Sequence, residues 1–389
     1  MTRLQSSLSD RELAKFWAET TARGTPLVEP LDGESVLVTF LWRGAAPSTR
    51  AWWGVDVPLA LLPGTDLWYG TQVMPADLRT TYCLVHGEPT GAPRDSSGRG
   101  EVHLDLANPF RVGFPADPAD PDDYDSFLSL LELPGAPPEP WITPRPGVTS
   151  GSVTEVVLPG AALGGPRPMA VYRPAGTSTS GLPVVVVFDG FLARRVLCVP
   201  TVLGNLIAAG RIPPCVALFV SSFVASREDD LRPGSPLISF LSGEVMPWAR
   251  ANLDAGADGR ANVIAGVSRG GLAAAWAGLA APELFGGVVA QSGSFWWPSP
   301  DEGEPGWLIR EVSRRSRTGT RFYLDVGIRE TMPGPGGAPN QLTVVRQMRD
   351  ALSETGYPVQ YTEFNGGHDY VNWRRTFADG LIAVSGVHC

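Results

Sequence analysis

Lysine is almost missing from this chain: of 31 basic residues only Lys15 is a lysine. Arginine therefore stands wherever a cation is needed, and a single Arg is weak grounds for inferring a bidentate anion contact. Basic charge is also in deficit, with a formal net charge of −9, which argues against nucleic acid as a partner. No apolar run is long enough to span a membrane, and residues 1–11 contain no continuous apolar segment of the secretory kind. The expectation is a cytoplasmic protein with no membrane partner. The four cysteines, Cys83, Cys198, Cys215 and Cys389, are scattered without C-x-x-C or Cys/His spacing. That excludes a disulfide framework and a zinc site, so neither metal nor cofactor is expected. Histidine is scarce too, with only His86, His103, His368 and His388 available to any chemistry that needs an imidazole base.

At 389 residues the chain exceeds a usual single core, and 43% hydrophobic residues with mean hydropathy near zero describe a globular protein of two domains. Leu13, Phe16 and Trp17 have helical spacing behind a Ser9 or Asp10 cap. Short runs rich in Val, Thr, Trp and Tyr follow at 35–43, 50–57, 67–72 and 78–85, separated by Gly/Pro turns such as Pro63-Gly64. They predict a small antiparallel β-sandwich. Residues 87–146 are crowded with Pro, Gly and Asp and read as a long connection with one patterned stretch at 127–131. The domains are accordingly 1–148, the sandwich with its connection, and 149–389.

In the second part the pattern changes to apolar strands alternating with helices. Strands are expected at 152–158, 170–172, 184–188, 216–221, 287–291, 321–326 and 359–363, and helices at 199–209, 238–251 and 272–279. The fold class is α/β: a mostly parallel open sheet of about eight strands with helices on both faces, preceded by the antiparallel domain.

Val263-Ile-Ala265 reads as the end of a buried strand, Gly266-Val-Ser268-Arg-Gly270 fits the G-x-S-x-G elbow, and an Ala-rich helical run follows. Such a turn projects its serine hydroxyl at a helix N-terminus, where free N–H groups favour an oxyanion. Ser268 is the candidate nucleophile. A hydroxyl needs a base, and His368 in Gly366-Gly-His368-Asp369, just past a predicted strand, stands where this fold class carries one. The chain order Ser, acid, His places an orienting carboxylate between them. Glu330 is the choice; Asp325 lies within the strand, and Asp369 adjoins the histidine too closely to orient its ring. An acid at Asp325, or a Ser-His dyad without one, stays open. The oxyanion hole would combine the N–H of Arg269 with that of Phe191, in the loop after Val184-Val-Val-Val-Phe188. Arg194 and Arg195 follow that loop, and Trp296 and Trp297 follow the strand after the elbow helix. All four are candidate substrate-binding residues at one sheet edge. The basic run Arg310, Arg314, Arg315, Arg317 and Arg321 reads as a solvated helix face, with an anion-facing role as the alternative.

These residues carry a resemblance that spans nearly the whole chain. The stretches Asp189-Gly190, Gly266-Val-Ser-Arg-Gly-Gly-Leu272, Gln291-Ser-Gly-Ser-Phe-Trp-Trp-Pro298, Gly327-Ile-Arg-Glu-Thr-Met332 and Gly366-Gly-His-Asp-Tyr-Val-Asn-Trp-Arg374 resemble the enterochelin esterase family, as do Pro63-Gly-Thr-Asp-Leu-Trp68 and 131–141 in the first half. The resemblance implies an α/β-hydrolase fold of the esterase D-like kind and an esterase that opens the trilactone of ferric catecholate siderophores inside the cell. The partner is then a small catecholate ester or lactone, with or without iron, and an N-terminal β-sandwich helps close over it. Two departures stand out: Arg269 replaces a residue commonly uncharged in the family, and 191–195 diverge. Two further readings share the residues: an acyltransferase or macrolactone cyclase using the same acyl-enzyme, decided by water exclusion, and a binding protein without turnover. Oligomeric state is not legible.

Overall fold

The computed structural model describes residues 9–87 and 102–385. His388, Cys389, the start of the chain and residues 88–101 of the expected connection lie outside them. The chain divides into two compact units. The first comprises Met1–Phe114, Asp125–Pro137 and Asn365–Val371; the second comprises Pro115–Tyr124, Pro138–Phe364 and Asn372–Cys389.

In the first unit, helix α1 (Asp10–Arg23) opens on a capping box. Ser9 Oγ accepts from the Glu12 N–H at 3.4 Å, and Glu12 Oε2 accepts from the Ser9 N–H at 2.9 Å. Such a cap is worth ~1 kcal/mol. Leu13 buries its side chain against Leu41 and Leu67, with Phe16 and Trp17 packed beside them. The strands are β1 (Leu27–Pro30), β2 (Ser35–Arg43), β3 (Thr49–Trp53), β4 (Asp56–Leu61), β5 (Leu67–Pro75), β6 (Arg79–Val85), β7 (Val102–His103), β8 (Arg111–Phe114) and β9 (Ser126–Glu132). They pair antiparallel along the path β1-β2-β5-β4-β3-β6-β9-β8, with β7 on β6. The run expected as one strand at 50–57 is two, folded back between Trp52 and Asp56, which face each other. The start of β4 pairs with β3, while Ala60 and Leu61 pair with β5. Alternate positions Val36, Val38 and Phe40 of β2 point into the core with Tyr82 and Leu84 of β6, as a period of two demands. Three strands, β7 to β9, arise in the region whose composition predicted mainly connection.

The second unit holds β10 (Ser152–Leu158), β11 (Arg167–Arg173), β12 (Val184–Val187), β13 (Val216–Val220), β14 (Val263–Val267), β15 (Gly287–Gln291), β16 (Arg321–Gly327) and β17 (Val359–Phe364). Its helices are α2 (Gly190–Arg195), α3 (Val199–Ala208), α4 (Arg227–Asp230), α5 (Ser235–Phe240), α6 (Met246–Leu253), α7 (Arg269–Ala280), α8 (Trp307–Arg314), α9 (Gln341–Glu354) and α10 (Tyr370–Ser385). The helix expected across 238–251 is interrupted: α5 passes through a π turn at Leu241–Val245 before α6. The sheet order is β10-β11-β13-β12-β14-β15-β16-β17. β10, β11 and β13 pair antiparallel, and the neighbours from β13 to β17 pair parallel. β12 to β15 are buried at every residue, which explains why they read as continuous apolar runs instead of alternating ones. Because β12, β14, β15 and β16 run the same way, Asp189, Ser268, Ser292 and Glu330 all emerge beyond strand C-terminal ends at one edge of the sheet.

Candidate active site

Ser268 links β14 to α7 with φ 53° and ψ −117°, a conformation side-chain-bearing residues rarely adopt. The turn closes because Gly266 lacks a side chain: a Cβ there would meet the Gly270 carbonyl carbon at 2.4 Å. The Ser268 N–H donates to the Gln291 carbonyl at 2.9 Å, its own carbonyl accepts from the Ser294 N–H at 2.9 Å, and its Oγ lies 3.3 Å from Ser294 Oγ. Arg269 is the first residue of α7, so its N–H has no acceptor within the helix. Every residue of α7 from Arg269 to Leu279 is buried.

The end of β16 carries the two carboxylates weighed from the sequence. Glu330 is buried, and its Oε1 accepts from Ser292 Oγ at 2.6 Å and from the Gly327 N–H at 2.7 Å. Ser292 Oγ in turn accepts from Trp373 Nε1 at 2.9 Å, and Gln341 Nε2 donates to the Ser292 and Gly293 carbonyls. Ser292 holds a positive φ of 41°. Asp325 is fully buried within the sheet, where Gln291 Nε2 donates to its Oδ2 at 3.0 Å. Its Oδ1 and the Gln291 Oε1 are buried without a hydrogen-bond partner. Burial pushes the Asp325 carboxyl up to about 7 against the pull of its Thr376 and Gln291 hydrogen bonds.

The loop after β12 is more than a turn. Asp189 is left-handed at φ 52° and accepts a two-pronged contact from Arg227, Nε to Oδ1 and Nη2 to Oδ2, both at 2.7 Å. Gly190 is required by contact, since a Cβ there would sit 2.4 Å from the Phe219 carbonyl carbon of β13. Phe191 follows, buried, in the first turn of α2, where N–H groups lack helical acceptors. The four expected binding residues fall into two groups. Arg194 and Arg195 flank the Phe191 ring at 5.6 and 5.7 Å, Arg194 being paired with Glu155 at 3.1 Å. Trp296 and Trp297, both half-buried, each lie 5.8 Å from the Arg269 guanidinium, a contact the sequence did not signal. The basic run disperses: Arg314 pairs with Glu311, Arg315 stacks on Trp276 and Arg321 donates to the Val384 carbonyl.

His368 belongs to the first unit, where its ring meets Trp53 edge-on at 6.4 Å. In the same unit Asp369 is buried, with Oδ2 accepting from Thr80 Oγ1 at 2.6 Å and the Thr81 N–H at 3.2 Å. Cys83, Cys198 and Cys215 are free thiols, and burial pushes Cys83 and Cys215 up to about 12. Among the described residues no group of three His, Cys, Asp or Glu could hold a metal ion, and no helix is long and apolar enough to cross a membrane.

The Esterase family model matches residues 160–384, more than half of the chain. The chain belongs to the esterase family. It is a hydrolase that acts on ester bonds. A second family model, the enterochelin esterase N-terminal domain, matches residues 37–142 of this esterase. Among curated relatives, the iron(III) enterobactin esterase of Dickeya dadantii is 28% identical, covering 94% of this chain and 91% of that one. The iron(III) enterobactin esterase of Escherichia coli K12 is also 28% identical, covering 92% and 93%. The iron(III) salmochelin esterase of Escherichia coli O6:H1 is 27% identical, covering 96% and 94%. Among solved structures, the enterobactin esterase of Shigella flexneri crystallised in the presence of enterobactin superposes with a TM-score of 0.73 at 24% identity, covering 93% of this chain and 95% of that one. This esterase therefore shares the mixed α/β fold of those enzymes.

Proposed function

We propose that the chain is a serine esterase that hydrolyses the ester bonds of catecholate siderophores, cyclic trilactones of the enterobactin kind included, by way of an acyl-enzyme on Ser268. The observation that carries this reading is the strained elbow at Ser268 on the N-terminus of α7, in a chain whose relatives are named for iron(III) enterobactin and iron(III) salmochelin. His368 is the base that takes the serine proton and returns it to the departing seryl oxygen, which leaves as the free hydroxyl. Glu330 orients the imidazole and stabilises its charged form; the backbone N–H of Gly327 and the Ser292 hydroxyl fix that carboxylate in place. The N–H groups of Arg269 and Phe191 receive the developing oxyanion. Trp296 and Trp297 offer ring faces to the flat aromatic arms, and Arg194 and Arg195 offer guanidinium groups to their charge. The mostly parallel α/β-hydrolase domain at 149–389 carries the chemistry, preceded in the chain by a β-sandwich domain at 1–148, and the substrate meets the enzyme with iron bound, in the cytoplasm.

The test is mass spectrometry of cyclic triscatecholate lactones and linear catecholate esters, iron-loaded and iron-free, incubated with the protein. Hydrolysis adds one water for each bond cleaved. Products joined to an added alcohol or amine would mark a transferase instead, and unchanged lactone throughout would overturn the substrate assignment.

A further inference from the structure

The side chain of Arg269 has an environment that an N–H donor in an oxyanion hole does not require. It is buried, only 7% exposed, although it carries a full charge. Trp296 and Trp297 lie on it at 5.8 Å each, and Arg232 sits over Trp297 at 5.7 Å. Its contacts with protein acceptors come from one residue: Nη2 donates to the Glu228 carbonyl at 3.1 Å, and Nε is 2.7 Å from Glu228 Oε2 without the alignment of a hydrogen bond. Nη1 is buried with no acceptor among the described residues. A desolvated guanidinium with unmet donors attracts an anion strongly. Burial, together with the like charges of Arg227 and Arg232, draws its pKa down, while Glu228 and Glu302 oppose that.

Glu228 itself is 65% exposed, in the four-residue helix α4, and spans two cations: Oε1 accepts from Arg227 Nη1 at 3.3 Å while Oε2 faces Arg269. An exposed carboxylate gains little from such a pair, since water competes for it. The chain has therefore put a loosely held carboxylate on a tightly held guanidinium, one residue from the elbow serine.

We propose that Arg269 is a specificity-determining residue whose guanidinium binds a carboxylate carried by the substrate, and that Glu228 occupies this position in the free protein and gives way to solvent when such a substrate arrives. The ligand class follows from the occupant, because a planar carboxylate is what the fork already faces. This deepens the esterase reading above and rests on it: the preferred esters carry a free carboxylate near the scissile bond.

The test compares mono-4-nitrophenyl glutarate with 4-nitrophenyl valerate, two aryl esters of similar acyl length that differ by the terminal carboxylate. Neither contains a catechol, so failure on siderophores leaves this comparison standing. The quantity read is the ratio of kcat/KM, charged over neutral. Arg269→Gln should lower it about 10-fold, mainly through KM, and Glu228→Gln should raise it about 3-fold. Glu228 is a surface residue, so its variant tests the idea even if Arg269→Gln folds poorly. Calorimetric binding of the glutarate ester to Ser268→Ala, with and without Glu228→Gln, reads the same preference without turnover. Opposite shifts in the two variants support the proposal. A ratio that stays put in both, or falls in both, overturns it, leaving Arg269 as a packing residue between the tryptophans.

Discussion

Asp325 and Glu330 are carboxylates five residues apart at the end of one strand, yet the chain treats them in opposite ways. Glu330 is met by a backbone N–H and a hydroxyl that hold its carboxylate in place. Asp325 lies inside the sheet with one oxygen bonded to Gln291 and the other without a hydrogen-bond partner among the described residues, and burial raises its pKa to about 7. A carboxyl that holds its proton through part of the neutral range is poorly placed to stabilise an imidazolium. The difference teaches that surroundings, more than residue type or chain position, separate an orienting acid from a buried structural one.

The comparison can be broken at the nucleophile. With His368 and Glu330 intact, Ser268→Ala should cost about 10⁴-fold or more in kcat, measured by release of catechol-bearing product. Glu330→Gln comes next, at about 10³-fold, because the imidazole loses its charged partner. Ser292→Ala sharpens the contrast: it removes one of the donors on Glu330 Oε1 and should lower kcat about 10-fold, by analogy with groups that orient a reacting residue. Asp325→Asn should change kcat by less than about 3-fold if the assignment is right. Its effect should appear in stability instead. The folded pKa stands above the unfolded value near 3.8, so the native protein keeps a proton that the unfolded chain releases, and stability is lost as pH rises from about 4 to 7. Asp325→Asn removes that loss. Thermal denaturation should find the variant more stable than the parent at pH 8, by at most about 4 kcal/mol, with the gap closing below pH 5. Reversed ranks for Glu330→Gln and Asp325→Asn in activity would exchange their roles.

The second unit was far more legible than the first. Strands buried on both faces leave unbroken runs such as Val184–Val187, and the glycines around Ser268 are demanded by backbone contact, so both survive in sequence as local signals. Strands β7 and β8 were hidden because Pro, Asp and Gly around them dilute the alternation and their pairing is long-range, while β9 showed only as the patterned stretch at 127–131. Helix α9 had its signal in Val344, Val345, Met348 and Leu352, at helical spacing behind an Asn340 cap, but the reading of that region followed strands alone. The setting of Glu330 could not be read: Trp373 and Gln341 reach Ser292 from 81 and 49 positions away, and only the fold brings them there. The charge of Arg269 stood out as a departure from the family pattern, but its burial between Trp296, Trp297 and Glu228 is made by the fold and leaves no local signal.

The central claim is that Ser268 is the nucleophile for catecholate esters, and the most direct test is the rate at which a fluorophosphonate probe labels the protein, with the site located by peptide mass mapping. The account predicts a single label on Ser268, absent from Ser268→Ala, whose formation slows as a triscatecholate lactone is added in competition. A label on another residue, with lactone turnover intact in Ser268→Ala, would contradict it.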